Sequence, residues 1–209
     1  MRLSLLLSLL PLAVACSSPE QTATSTTSAP LPDSATTRLE PMDTTRPATV
    51  DAQADTLLTA RSRHRFSSAA SPDVFSLVLR GSSVLSGEAT LTVTNASGEV
   101  IFREVLSSPD LEAAMVYEMK GPTATQAERE AYVRQRIREF FAEKNFHRPA
   151  VPKAATYPAA AEAPAGLDQA AWQDLQRRPE AVSFHYLVGK EDRRAITWSP
   201  LRKQVVHLP

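Results

Sequence analysis

Cysteine is almost absent: a single thiol, Cys16, stands in 209 residues. One thiol excludes an internal disulfide framework, a redox pair and a thiolate metal cluster. Glycine is scarce as well, with six residues, which excludes collagen-like and glycine-rich classes. Charge of one sign is not in excess, since 23 Lys+Arg face 23 Asp+Glu. That balance conceals a gradient: residues 17–60 hold six acids and two bases, and residues 61–209 hold 17 acids and 20 bases. Neither stretch has the clustered basic footprint that displaces counterions from nucleic acid, so no nucleic-acid partner is expected. Long apolar runs are also lacking. The longest is Leu3–Val14, twelve residues interrupted by Ser4, Ser8 and Pro11. At about 1.5 Å rise per residue it falls well short of about 30 Å of hydrocarbon. No H-E-x-x-H, G-x-S-x-G, S-x-x-K or P-loop pattern occurs.

What is present at the N-terminus reads as an address. Met1-Arg2 followed by the apolar run has the charge and length of a signal peptide over residues 1–15. The run ends Leu12-Ala13-Val14-Ala15-Cys16, which resembles the lipobox of bacterial lipoproteins. It departs from that pattern at Ala13, where the family usually has Leu, and Ala13-Val14-Ala15 also satisfies the A-x-A rule of ordinary signal cleavage. Both readings cut between Ala15 and Cys16. The resemblance implies a diacylated Cys16 whose acyl chains enter a lipid bilayer, and no cofactor beyond that covalent lipid. Each buried CH₂ contributes about 0.8 kcal/mol, and stable anchoring needs more than one chain. Ser17, where Asp would favour retention at the inner membrane, favours the outer membrane. The alternative is a secreted soluble protein with a free terminal Cys16.

Residues 17–60 change character. Of these 44 residues, 28 are Ser, Thr, Pro or Ala, and none is aromatic. Such a chain buries too little apolar surface to offset its ordering entropy, so residues 16–60 are expected to be a disordered tether. Its reach is roughly 35–40 Å r.m.s..

Residues 61–209 are expected to form one α+β domain. Strands are predicted over 73–80, 88–95 and 99–106 from apolar alternation, with Asn95–Gly98 as the turn between the last two. Gly81–Gly87 reads as a loop with a short strand at its centre. Thr125 and Glu128 form a capping box for a helix to about Lys144, with Val133, Ile137, Phe140 and Phe141 as its apolar stripe. Its arginines, Arg136 among them, alternate with glutamates and read as a solvated face. Asp168 caps a shorter helix that turns Ala171, Trp172 and Leu175 inward. Three strands follow, over 182–188, 195–199 and 203–208. The order βββ-αα-βββ predicts an antiparallel sheet of about six strands with two helices packed on one face. The run Phe140–Ala150, with the hairpin before it and the strand-rich end after it, resembles small uncharacterised lipoproteins of the Bacteroidetes type. That resemblance implies an envelope address and no mechanism.

Little in the domain points to chemistry. The four histidines, His64, His147, His185 and His207, are far apart in sequence. His185 and His207 fall on C-terminal strands, and His147 opens the Ala/Pro-rich segment 147–166. These three are the candidate site. A two-His metal site with an added carboxylate is one reading, ordinary half-buried imidazoles the other; no metal and no catalytic residue are assigned. Segment 147–166 reads as a crossing strap or as a lid. Arg61–Arg65 is a basic cluster at the tether's end, read as solvated, and Trp172 and Trp198 read as packing residues. The leading expectation is a non-catalytic binding or accessory module with an envelope protein as partner. The alternative is a small envelope hydrolase with a site under segment 147–166.

Overall fold

The computed structural model describes residues 49–159, 163, 164 and 166–209. The apolar leader, the Ala15–Cys16 bond, Cys16 itself and the tether up to residue 48 lie outside the described residues. Among the described residues no helix is long and apolar enough to cross a membrane.

The first sheet contains β1 (Thr56–His64), β2 (Asp73–Arg80), β3 (Glu88–Thr94) and β4 (Val100–Ser107), paired antiparallel in chain order. Phe75, Leu77 and Leu79 of β2 and Ala89, Leu91 and Val93 of β3 are wholly buried, as the period-two pattern requires. Asn95 builds the β3–β4 turn: its Oδ1 accepts from the N–H of Ser97 and of Glu99, each at 3.0 Å, and Gly98 takes φ +85°.

The boundary expected at residue 60 falls inside β1. Charge hid this strand: Arg61 and Arg63 face solvent from an edge strand, while Ala60, Ser62 and His64 between them are half-buried. Charged side chains on an edge oppose pairing with other chains. The described chain is fastened earlier still, where the Glu88 carboxylate accepts from the N–H of Thr49 at 2.7 Å and of Val50 at 2.9 Å. Residues 81–87 form turns rather than the short strand expected there.

Among the described residues three α-helices occur, one more than expected. α1 (Ser108–Glu112) is a single short turn closed by a reciprocal Ser107–Asp110 capping box. α2 (Gln126–Glu139) opens on the Thr125–Glu128 capping box, stops five residues before Lys144, and is followed by a 3₁₀ turn at Glu143–Asn145. α3 (Gln169–Gln176) is capped by Asp168, whose Oδ1 accepts from Ala171 N–H at 2.8 Å.

The expectation of one six-stranded sheet is corrected to two sheets of four strands. The second contains β5 (Phe146–His147), β6 (Ser183–Val188), β7 (Asp192–Ser199) and β8 (Gln204–Leu208), again antiparallel in chain order. β5 is too short for periodicity to find, and with it the meander gains its fourth strand. The two sheets share one apolar core, to which α2 adds Val133 and Ile137 and the residues just after it add Phe140 and Phe141. Phe75 of β2 meets Phe184 of β6 with ring centroids 5.4 Å apart, and Phe141 lies within 5.9 Å of both. Burying each such ring contributes about 1.5–3 kcal/mol, with edge-to-face geometry adding to it.

A smaller apolar cluster lies on the other side of the second sheet, where Trp172 and Leu175 of α3 pack with Val151, Leu167 and Val206. Segment 147–166 runs across this cluster as a strap in its described parts. Ala150 N–H donates to Ala181 O at 2.8 Å, Gln176 Nε2 to Ala155 O at 2.6 Å, and Tyr157 Oη to Leu167 O at 2.9 Å.

Candidate functional site

Strand register decides which histidines meet. Antiparallel pairing sets Phe146 opposite Phe184 and His147 opposite Ser183. Alternation then turns Phe146, Phe184 and Tyr186 to the shared core and puts His147, Ser183 and His185 on the other face. The His147 and His185 rings approach to 4.3 Å between centroids. His207 is not with them. It pairs with Ile196 on β8, two strands from β6, and its ring meets Phe102 of β4 at 5.9 Å on the core side. His185 and His207 are therefore not brought together: β7 separates their strands, and they face opposite sides of the sheet.

A cleft of about 630 Å³ opens beside the histidine pair. Because β5 spans only two residues, β6 is left without a strand partner beyond Phe184 on the edge away from β7. α2 fills that place. Arg136 donates from Nη2 to the Leu187 carbonyl at 3.1 Å, satisfying an acceptor that the missing ladder leaves open. Glu139 lies one turn further along α2, Lys144 comes from the 3₁₀ turn, and Arg193 stands opposite Leu187 on β7. Five side chains that are cationic or able to become so thus border one cleft with a single carboxylate, Glu139. Among the described residues, no carboxylate pairs with Lys144 or Arg193.

The imidazoles are held differently. Ser183 Oγ lies 2.8 Å from Nε2 of His185, which fixes that ring. Burial lowers the His185 pKa below its ordinary value, and His147 beside it lowers it further. His147 is exposed. The Ser183–His185 contact has the outline of a nucleophile and its base. Ser183, however, has 0% exposed surface, so its hydroxyl does not reach the cleft. Nor does the arrangement suit a metal ion. Among the described residues no three His, Cys, Asp or Glu side chains are grouped to hold one, and Arg136, Lys144 and Arg193 repel a cation at this place.

The space under segment 147–166 is different again. A cleft of about 370 Å³ is bordered there by Tyr157, Leu167, Asp168 and Arg202. Its carboxylate is already committed, capping α3 and pairing with Arg202. Trp172 is buried and Trp198 packs against the main core, as packing residues should.

Sequence reasoning found His147 and His185 but missed Arg136, Lys144, Arg193 and Ser183. The useful signal was Phe146-His147 read as the counterpart of Phe184-His185, one apolar and one imidazole residue on each strand. No protein-family model matches this chain, and neither a curated protein nor a solved structure matches it.

Proposed function

We propose that this chain is an envelope lipoprotein whose folded domain is a non-catalytic binding module. Lipid on Cys16 holds it at a bilayer, the outer membrane being favoured by Ser17, and residues 17–48 space the domain from the surface. The binding half rests on one observation: side chains from α2, the 3₁₀ turn, β5, β6 and β7 converge on an open cleft that the Ser183 hydroxyl does not enter. The anchoring half is supported by the position of the only cysteine, directly after Ala13-Val14-Ala15.

A hydrolase is the second reading, and the Ser183–His185 contact favours it. It requires the Ser183 hydroxyl to emerge from complete burial. The partner on the binding reading is an envelope component, met by the cleft rather than by segment 147–166.

Mass spectrometry of the mature N-terminus after expression in a bacterial host tests the anchor. The expected product begins at Cys16 and carries a diacylglyceryl or triacyl mass. A Cys16→Ser variant is expected to leave the membrane fraction. If that variant matures unchanged and still sediments with membranes, the anchoring half is wrong.

A further inference from the structure

The structure assigns the His147–His185 cleft as a binding site for a phosphate-type polyanion. The assignment rests on reading that cleft as the domain's binding surface, and it names the chemistry the cleft takes. Arg136, Lys144 and Arg193 bring three permanent positive charges against Glu139, so the lining carries two net positive charges with both imidazoles neutral and four with both protonated. Guanidinium groups present paired N–H donors that match phosphate oxygens, and a lysine adds a point charge.

Geometry separates this cluster from an ordinary solvated face. Two other arginines of α2 are matched close by: Arg129 pairs with Glu112, and Arg134 lies 3.8 Å from Glu130. Arg194, next in sequence to Arg193, is matched by Glu104 and Asp192. At the cleft that matching stops. Arg136 is anchored by its bond to Leu187 O and so is preorganised, a condition that reduces the ordering cost of binding. The volume, about 630 Å³, suits a phosphorylated small molecule or headgroup rather than a lone phosphate. The ligand is therefore a phosphoryl group of at least two charges on a small carrier, either free or borne by a lipid.

The test uses the full chain with Cys16→Ser, so that acylation cannot bring the protein to lipid. Pyrophosphate is titrated by calorimetry, with the His147 and His185 ring resonances followed by NMR. Saturable binding that shifts both rings is expected, weakening about tenfold in Lys144→Gln/Arg193→Gln as charge-assisted contacts are lost. The groups bordering those rings are Arg136 and Glu139 of α2, Lys144, Ser183 of β6 and Arg193 of β7. Glu139→Gln is expected to tighten binding, a gain that simple damage to the fold does not produce. Co-sedimentation with phosphatidic acid vesicles that pyrophosphate competes away assigns a lipid headgroup; saturable pyrophosphate binding without co-sedimentation assigns a soluble ligand. No saturable binding, or equal affinity in wild type and Lys144→Gln/Arg193→Gln, overturns the assignment. The anchoring half of the proposed function, read from the mass of the mature terminus, is unaffected by that failure.

Discussion

Strands β6 and β7 carry polar clusters on both faces, and the two clusters have opposite fates. On the core face, Tyr186 and Arg194 both donate to the carboxylate of Glu104 on β4, which is 1% exposed. On the other face, one residue away along each strand, His185 and Arg193 border the open cleft. Inside, the charges are matched. Burial opposes charge on Arg194, but Glu104 and Asp192 beside it outweigh this and hold its pKa above the ordinary range. Outside, cations exceed carboxylates and nothing covers them. Matched buried charge ties the two sheets together, whereas an unmatched surplus on a preorganised surface is available to a ligand.

The largest expected effect comes from breaking the inner cluster. Glu104→Ala leaves the Arg194 guanidinium without its buried partner, and removing one side of a buried pair costs about 3–5 kcal/mol. Urea unfolding is expected to show that loss in its midpoint. Replacing both charges, as Glu104→Met/Arg194→Met, is expected to recover part of it, since no buried charge is then left without its partner, although the Tyr186 hydroxyl loses this acceptor. Lys144→Gln/Arg193→Gln is expected to leave the same midpoint nearly unchanged, because exposed charges contribute little. If the outer pair proves as costly as Glu104, the division between structural and available charge fails.

A smaller effect tests the covered half of the outer face. Trp172 and Leu175 of α3 pack there with Val206 of β8. The helix is only eight residues, too short to persist without packing and a cap. Asp168→Ala removes the acceptor for Ala171 N–H and is expected to lower stability by about 1 kcal/mol. Pyrophosphate affinity is expected to stay the same, since α3 contributes nothing to the His147 cleft. A change in that affinity joins the two halves of the face into one unit.

How far the sequence displays this molecule follows from element length and from charge. Strands with five or more alternating residues, such as β2 and β3, are legible because burial of every second side chain is periodic. Helix starts at Thr125 and Asp168 are legible because their caps are local chemistry. β1 is hidden because its outward residues are arginines, and β5 because two residues have no period. Missing those two strands turned two sheets into one. At the cleft, His147 and His185 are visible as residues, but their meeting depends on a register set by Phe146 and Phe184. Arg136 looks like one more solvated cation on α2 until Leu187 O lies 3.1 Å away.

The smallest expected effect is a slope of stability with pH. His64 ends β1 with its ring stacked on Phe146, centroids 3.4 Å apart, and edge-on to Phe75 at 5.8 Å. Burial lowers its pKa, and Glu143 at 3.9 Å offsets part of that shift. Because the folded-state value lies below the unfolded value of 6.5, the unfolded chain binds more protons between the two. The stability from neutral His64 is therefore complete above the unfolded value and is lost as pH falls through the folded one. His185, also lowered, acts with the same sign. Urea midpoints measured from about pH 7 down to about 5 are expected to fall, and His64→Phe, which keeps a ring on Phe146 without a titrating group, is expected to flatten that fall. A slope unchanged by His64→Phe means that the imidazole is solvated rather than packed. Pyrophosphate added at about pH 6 is expected to restore part of the lost stability in the wild type, through preferential binding to the folded state. In Lys144→Gln/Arg193→Gln that restoration is expected to be smaller at the same pyrophosphate concentration.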